Sequence, residues 1–121
     1  MVLQFQGAKR PCYIVRNGTI HELKRDNISV GEHNTIQSKV RLQDFQLESG
    51  DTVYVFSDGF ISQFGGKENK KFNIKKHKDL LITISQHNIN KQKDILFSVL
   101  TKWKGVHDQT DDVLLIGFKI P

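Results

Sequence analysis

The 121-residue sequence has little cysteine and proline, and it has no long apolar run. A single cysteine, Cys12, excludes an intramolecular disulfide and favours a reducing, cytoplasmic setting. No segment reaches the ~20 apolar residues that a membrane-spanning helix needs, and the start, MVLQFQGAKRP, is too short and too polar for a signal peptide. We expect one cytoplasmic domain over residues 1–121, with a modest core in which Cys12 is a buried packing residue.

Positive charge is concentrated in the second half of the chain. The formal net charge is +5, and residues 67–104 hold ten lysines against three acids. Such a segment fits an acidic partner or a nucleic acid, although lysines alternating with apolar residues are more typical of a solvated helix face. Two of its three aromatic residues (Phe72, Phe97 and Trp103) look like core residues, and Trp103 is predicted to pack a helix. A basic nucleic-acid-binding domain is therefore the least favoured function.

Short β-branched and aromatic runs predict strands in the first half. Asn17-Gly18 predicts a type I′ hairpin turn, because both residues accept a positive φ. Residues 25–38 are polar and predict a loop. The predicted strands are Val2–Gln6, Cys12–Arg16, Ile20–Lys24, Lys39–Leu47 and Thr52–Ser57.

Helical spacing replaces the strand pattern after Gly65-Gly66 and a lysine-rich loop. A short helix is predicted around Leu80, Leu81 and Ile84. A second helix has Asn90 as its predicted N-cap and Gly105 as its end. Its apolar positions are Ile95, Leu96, Val99, Leu100 and Trp103.

The last apolar run, Val113–Ile120, is too apolar for a half-exposed strand, and so we predict that it is central in its sheet. Strands followed by two helices and a final strand indicate an α+β fold. The predicted architecture is an antiparallel β-sheet with helices packed on one side.

Two acidic strand ends are the best candidates for chemistry. The stretch GDTVYVFSDGF ends its apolar run on Ser57-Asp58-Gly59, and Asp111-Asp112 opens the last apolar run. If the two strands are antiparallel neighbours, these carboxylates meet at one rim and repel unless a cation bridges them. Oxygen ligands select Mg²⁺ or Mn²⁺, and Gly59 allows backbone, water or substrate to come close. From spacing alone the signal is weak, because a turn and a cap explain the same residues.

Longer motifs around these acids resemble a known family. GDTVYVFSDGFISQFGG followed by QTDDVLLIGFKI looks like the C-terminal part of the metal-dependent serine/threonine phosphatases of the 2C type. It is more similar still to their bacterial branch related to the sporulation phosphatase SpoIIE. The segment LQFQGAKRPCYIVRNG resembles the family's hairpin, and Ile28-Ser29-Val30-Gly31 resembles its short apolar-glycine element. The resemblance covers nearly all of the chain, and it implies the C-terminal portion of a 2C-phosphatase-like αββα sandwich.

By this resemblance Asp58 and Asp111 match metal ligands, and Asp112 supports the site from beside them. The implied cofactor is Mn²⁺ or Mg²⁺, and the implied reaction is attack of a metal-activated water on phosphoserine or phosphothreonine in a protein substrate. The implied setting is bacterial signalling behind a sensory domain.

Three lysines follow the first acidic strand end and could steer a phosphorylated protein towards it. A solvated loop explains them equally well. They are Lys67, Lys70 and Lys71. The five histidines show no metal-ligand spacing, and surface or cap roles are predicted for each of them: His21, His33, His77, His87 and His107.

One expected feature of the family is missing. Residues 1–50 contain no bridging aspartate in a D-x-x-G-H-G context, since Asp26 and Asp44 lack the glycines. Two carboxylates should hold Mg²⁺ poorly, so weak metal binding and little catalysis are expected from this chain alone. The alternative function is a non-catalytic interaction module with the phosphatase fold. Unpaired strand edges also predict association with the rest of the domain or a homodimer.

Overall fold

The computed structural model describes residues 1–6, 10–24 and 42–121. The strands are β1 (Val2–Gln6), β2 (Cys12–Arg16), β3 (Thr19–Leu23), β4 (Leu42–Gln46), β5 (Thr52–Phe56), β6 (Phe64–Gly65), β7 (Lys70–Lys71) and β8 (Leu115–Lys119). The helices are α1 (Gly59–Ser62), α2 (Ile74–Ile84) and α3 (Ile89–Lys104). The predicted loop at 25–38, with its apolar-glycine element, lies outside the described residues.

Four strands form the main sheet, in the antiparallel order β3-β2-β5-β8. The β2–β3 hairpin turns at Asn17 and Gly18, whose φ angles are 48° and 76°, as the sequence predicts. Both residues tolerate this left-handed conformation, so the turn sets the register in which Arg16 opposes Thr19.

The helices cover one face of this sheet, as predicted. Tyr13, Tyr54 and Phe56 contribute to a core cluster that includes Leu81 and Ile84 of α2. Apolar residues of α3 pack against the same cluster, so the helical periodicity of the second half is explained by burial against the sheet.

A second, two-stranded sheet covers part of the opposite face. β1 and β4 pair antiparallel, with Val2 opposite Gln46. Their side chains pack on Cys12, Ile14 and Val53, which are almost fully buried. Cys12 is therefore a packing residue, as predicted, and burial raises the pKa of its thiol to about 11. Together the layers form part of a sandwich of two sheets with helices on one outer side.

The prediction that the last strand is central is wrong. Within the described residues β8 is hydrogen-bonded to β5 alone and lies at the edge of the main sheet. Its apolar residues are only partly covered, and Ile116 and Phe118 are 50% and 42% exposed. The apolar run is typical of a strand that is buried on both faces. The described part of the chain does not bury both faces of β8.

Two details of the helices also differ from prediction. The N-cap of α3 is Asn88, whose side-chain oxygen accepts a hydrogen bond from the backbone N–H of Lys91 at 2.9 Å, and Asn90 lies within the helix. Gly105 ends the helix at φ 54°, as predicted. His77 of α2 is completely buried against aromatic rings and has no surface or cap role. Its surroundings lower its pKa to about 4, because burial disfavours the charged imidazolium.

The region between the first acidic strand end and α2 contains α1 and the β6–β7 hairpin, and β7 lies within the segment predicted to be a lysine-rich loop. Gly65 and Gly66 give Trp103 room, since a Cβ on Gly66 would lie 2.8 Å from the indole ring. The Trp103 ring also packs edge-on against Phe72 at 5.5 Å between centroids. Trp103 is thus a helix-packing residue, as predicted.

No helix in the described ranges has the length and apolar character that crossing a membrane requires.

Candidate metal site at two strand ends

The two acidic motifs lie at the same rim of the main sheet. β5 and β8 are antiparallel, and Phe56 at the end of β5 opposes Leu115 at the start of β8. The ladder continues past both strands, because the backbone N–H of Ser57 donates to the carbonyl of Leu114 at 2.9 Å. The predicted pairing of these strands is confirmed.

Ser57 fastens one strand end to the other. Its hydroxyl donates to the carbonyl of Asp112 and accepts from the backbone N–H of Leu114, both at 2.9 Å. A serine hydroxyl can donate and accept at once, so one side chain satisfies two backbone groups of the approach to β8. The sequence analysis did not predict this role, because it considered Ser57 only as part of the Ser57-Asp58-Gly59 motif.

Gly59 allows the close approach of the second acidic motif. A Cβ built at this position would lie 2.2 Å from the carbonyl oxygen of Asp112 and 3.0 Å from the Cα of Val113. Any other residue would push the two strand ends apart. The sequence predicted a close approach at Gly59, and the structure shows that the approaching group is backbone.

Asp58 begins α1 but does not cap it with its side chain. Its backbone carbonyl accepts from the N–H of Ser62 at 2.9 Å, and its carboxylate makes no capping hydrogen bond. The carboxylate is instead 3.1 Å from the guanidinium of Arg10, and both side chains are about half exposed. Such an exposed pair contributes only about 0–1 kcal/mol, so the carboxylate remains available to a stronger partner.

Arg10 was not predicted to belong to this rim. Tyr13 of β2 opposes Tyr54 of β5 in the antiparallel register. Extending that register three residues towards the N-terminus sets Arg10 opposite Ser57, beside Asp58. The sequence alone does not indicate that Arg10 lies beside Asp58, because the two residues are far apart along the chain. Their proximity follows only from the register of β2 with β5.

The segment before β8 is held by a buried glutamine. Gln63 is 1% exposed, and its side-chain amide donates to the carbonyl of Asp108 at 2.9 Å. Its backbone carbonyl accepts a 2.8 Å hydrogen bond from the indole N–H of Trp103. Gln63 therefore ties the loop that leads to Asp111 to the end of α1 and to α3. A single glutamine in a polar segment gives no sequence signal for this role.

Asp111 and Asp112 are exposed, and their backbone carbonyls accept hydrogen bonds from Gln109 (3.1 Å) and Ser57 (2.9 Å). With Asp58 they bring carboxylates to one rim, which suits a hard cation. Among the described residues, however, no group of three or more His, Cys, Asp or Glu side chains is arranged to hold a metal ion. The residues present fit part of a metal site, and the assignment of Asp58 and Asp111 as ligands stays a prediction.

The three lysines proposed to steer substrate are exposed on and beside the β6–β7 hairpin. Lys70 forms an ion pair with Glu68 at 2.9 Å, and Lys71 lies over the ring of Phe64 at 5.9 Å. These contacts hold two of the lysines locally. The steering role of Lys67, Lys70 and Lys71 stays a prediction.

The fold is that of the 2C-type phosphatases. The chain superimposes on the SiaA-PP2C domain of Pseudomonas aeruginosa with a TM-score of 0.88 and 28% identity, over 99% of this chain and 46% of that one. It also matches the PP2C phosphatase domain, with a fragment of the regulatory domain, of the cell fate determinant SpoIIE from Bacillus subtilis. That TM-score is 0.69 at 18% identity, over 98% of this chain and 33% of that one. A structure of the SpoIIE phosphatase domain from Bacillus subtilis, presoaked with Mn, matches with a TM-score of 0.58 and 18% identity, over 98% of this chain and 50% of that one.

Residues 4–121 match the family of stage II sporulation protein E (SpoIIE), and the chain belongs to this family. The resemblance read from the motifs is confirmed. A search of the curated proteins gives no significant match. The chain spans half or less of the length of the solved structures named above.

Proposed function

We propose that residues 1–121 are the C-terminal portion of a metal-dependent phosphatase domain that acts on phosphoserine or phosphothreonine in proteins. Membership of the SpoIIE family supports the reaction class. The observation that carries the proposal is the joined pair of strand ends, where Ser57 bonds to the backbone of Asp112 and Leu114. We place this activity in cytoplasmic bacterial signalling, behind a sensory domain.

In this proposal Asp58 and Asp111 are metal ligands, while Ser57 and Gly59 fix the distance between the backbones that carry them. Asp112 supports the rim through its carbonyl. A bound Mn²⁺ or Mg²⁺ would supply Lewis acidity and lower the pKa of a coordinated water. Without a metal, the guanidinium of Arg10 balances the charge of Asp58, so metal binding would require this ion pair to open.

The rest of the site is proposed to come from the part of the domain that this chain does not span. The SiaA-PP2C chain is more than twice as long as the matched portion, and two carboxylates bind Mg²⁺ weakly. The partners are then that remaining part, a sensory domain and a phosphorylated protein substrate.

The test is to co-produce this chain with the remaining part of the SiaA-PP2C domain and to assay p-nitrophenyl phosphate with Mn²⁺. We expect turnover from the pair and little from the chain alone. Asp58→Asn and Asp111→Asn should each lower the rate by about 100-fold or more, since a metal-based site supplies several kcal/mol. Asp94→Asn, an exposed carboxylate on α3, is the matched control and should leave the rate unchanged.

Robust Mn²⁺-dependent turnover by the chain alone would contradict the proposal that this chain holds only part of the metal site. Full activity of the co-produced parts when this chain carries Asp58→Asn would contradict the assignment of Asp58 as a metal ligand.

A non-catalytic interaction module with the same fold is the second candidate. It is favoured by the Arg10–Asp58 ion pair and by the lack of a three-acid cluster among the described residues. It predicts a complex with the remaining part of the domain that forms normally and shows no Mn²⁺-dependent hydrolysis.

A further inference from the structure

A shallow groove of about 480 Å³ lies between α1, β7 and the start of α2. Ile74, the first residue of α2, is 54% exposed in this groove, and Ile61 of α1 is half-buried there. Two isoleucines in one groove offer an apolar floor to the side chain of a partner. The lining residues are Ile61, Lys71, Asn73, Ile74 and Lys75.

The rim of this groove is basic. Residues 67–79 hold six lysines against two acids. Lys71 forms no ion pair within the described part of the chain, and its ammonium lies 5.9 Å from the centroid of the Phe64 ring. Lys75 has a long 3.8 Å contact with Asp79, and both of these side chains are mostly exposed. Contacts this weak leave both lysines able to pair with a partner's carboxylates.

The groove adjoins the candidate metal site. Asp58 immediately precedes α1, and its carbonyl accepts from the backbone N–H of Ser62 at 2.9 Å, which closes one helical turn. Ile61 lies on this turn, and its carbonyl accepts from the backbone N–H of Asn73 at 3.0 Å. One turn advances the chain by about 5 Å, so an extended peptide that reaches Asp58 can enter the groove within a few residues.

We propose that this groove binds an acidic segment of the phosphorylated protein substrate. One apolar side chain of that segment would lie on Ile61 and Ile74, and its carboxylates would pair with Lys71 and Lys75. The basic rim favours an acidic segment over a basic one. A nucleic acid is less suited, because the lining residues include no aromatic ring on which a base would stack. This inference rests on the proposed function, since it takes the segment to belong to the substrate.

Binding of a labelled peptide tests the groove without metal or phosphate. The probe is a fluorescein-labelled peptide in which a leucine has two glutamates on each side. It is titrated with the 121-residue chain in EDTA, and fluorescence anisotropy is measured. We expect saturable binding that weakens as salt is added. Replacing the glutamates of the probe by lysines should abolish the binding.

The first pair of variants tests the apolar floor. Ile74→Glu should weaken binding about tenfold or more, because it places a carboxylate where an apolar side chain would lie. Ile89→Glu is the matched control. Both isoleucines are the first residue of a helix with an asparagine N-cap, but Ile89 lies on α3 and does not line this groove. An acid is favourable in the first turn of a helix, so both variants should fold.

The second pair of variants separates docking from long-range steering by charge. Lys71→Glu should weaken binding about tenfold, since it replaces attraction by repulsion at the rim. Lys70→Glu, at the neighbouring position of β7, should weaken it by about twofold or less. Adjacent residues of a strand point to opposite sides, and Lys70 does not line the groove. Both variants change the net charge equally, so steering alone would affect them alike.

Loss of binding in Ile74→Glu and Lys71→Glu, with binding kept in Ile89→Glu and Lys70→Glu, supports the proposal. The proposal is overturned if the acidic probe does not bind or if the two members of each pair behave alike. It is also overturned if the lysine probe or a labelled oligodeoxythymidylate binds as tightly as the acidic probe.

Hydrolysis distinguishes this inference from the proposed function. The co-produced parts are assayed with Mn²⁺ on two phosphoserine peptides, one of which carries the acidic leucine segment. Docking predicts a lower KM for that peptide, and Ile74→Glu should raise this KM at unchanged kcat. Equal KM values with full turnover would overturn docking and leave the phosphatase function. Binding of the acidic probe without any turnover would remove the phosphatase function and leave the groove as a binding site.

Discussion

Gly59 and Ser57 set the separation between the two acidic motifs, and the aspartates are carried on the backbone that these residues hold. Ser57 makes two hydrogen bonds to the segment before β8, and Gly59 lies against the Asp112 carbonyl with no space for a side chain. At the scale of single residues, the small members of the motif have the clearest structural role.

Gly59→Ala should separate the strand ends, because its Cβ would meet backbone atoms that cannot rotate away. We expect a loss of about 3 kcal/mol in the free energy of unfolding. Urea unfolding measures it. Ser57→Ala is the comparison, with a smaller loss of about 1–2 kcal/mol for its two hydrogen bonds; an equal or larger loss for Ser57→Ala would contradict the steric account.

His77 is a second residue whose role depends on its surroundings. Its ring lies 4.6 Å from that of Phe56, the last residue of β5, and 5.8 Å from that of Phe60 in α1. Both ring nitrogens lack a hydrogen-bond partner among the described residues. The neutral imidazole acts here as a packing group beneath the first acidic motif.

Burial of His77 should make the protein less stable in acid. Its pKa falls from 6.5 to about 4 in the folded state, so the unfolded chain binds the proton first. The contribution of neutral His77 is then complete above pH 6.5 and lost as the pH falls from 6.5 to 4, by about 3 kcal/mol. His77→Phe should flatten that part of the profile in urea unfolding, and an unchanged profile would contradict the assignment.

At the scale of elements, the turn before β5 is held by a buried ion pair. The Asp51 carboxylate is 1% exposed and accepts two hydrogen bonds from the Arg16 guanidinium, at 2.9 and 2.7 Å. It also accepts from the backbone N–H of Glu48 at 2.8 Å. These contacts, led by the bond from Arg16, lower the pKa of Asp51. Asp51 thus joins Arg16, the last residue of β2, to the start of β5.

Asp51→Ala should cost about 3–5 kcal/mol, because it leaves the Arg16 guanidinium without its buried partner. Asp79→Ala is the control, since its ion pair with Lys75 on the surface of α2 is exposed, and it should change stability by less than about 1 kcal/mol. Thermal unfolding compares the two, and similar losses would show that the Asp51 pair is not structurally important.

Sequence predicted the elements whose signals are local. The Asn17-Gly18 turn fixes its own hairpin, and the spacing of Leu81 and Ile84 reflects one helical face. The N-cap was assigned two residues late because both Asn88 and Asn90 have suitable side chains, and only the backbone distinguishes them. The candidate site was predicted from Asp58 and Asp111 alone, and this assignment stays a prediction. The residues that support the two strand ends were missed, because they come from distant positions or are buried polar groups.

At the scale of the whole molecule, the sequence could not show that β8 lies at an edge. Its composition reflects burial on both faces, and the layers that would bury it are incomplete in the described part of the chain. The apolar composition of a strand indicates how deeply it is suited to be buried. It does not indicate whether the residues that would cover the strand belong to the same 121-residue chain.

The isolated chain should self-associate weakly, since an open strand edge with apolar neighbours can pair with another copy. Sedimentation at increasing concentration should show a rising average mass, and Ile116→Lys should reduce it while Ile74→Lys should not. A monomer at all concentrations would contradict this expectation.

The packing of Gly59 on the backbone of Asp112 has a consequence for evolution. A descendant that replaces this glycine must reroute the approach to the last strand, whichever side chain stands at position 112, because the contact is made by backbone atoms. Chains of this family that have lost the glycine after the first strand should therefore also differ in the backbone path before the last strand, and such chains are candidates for a changed function.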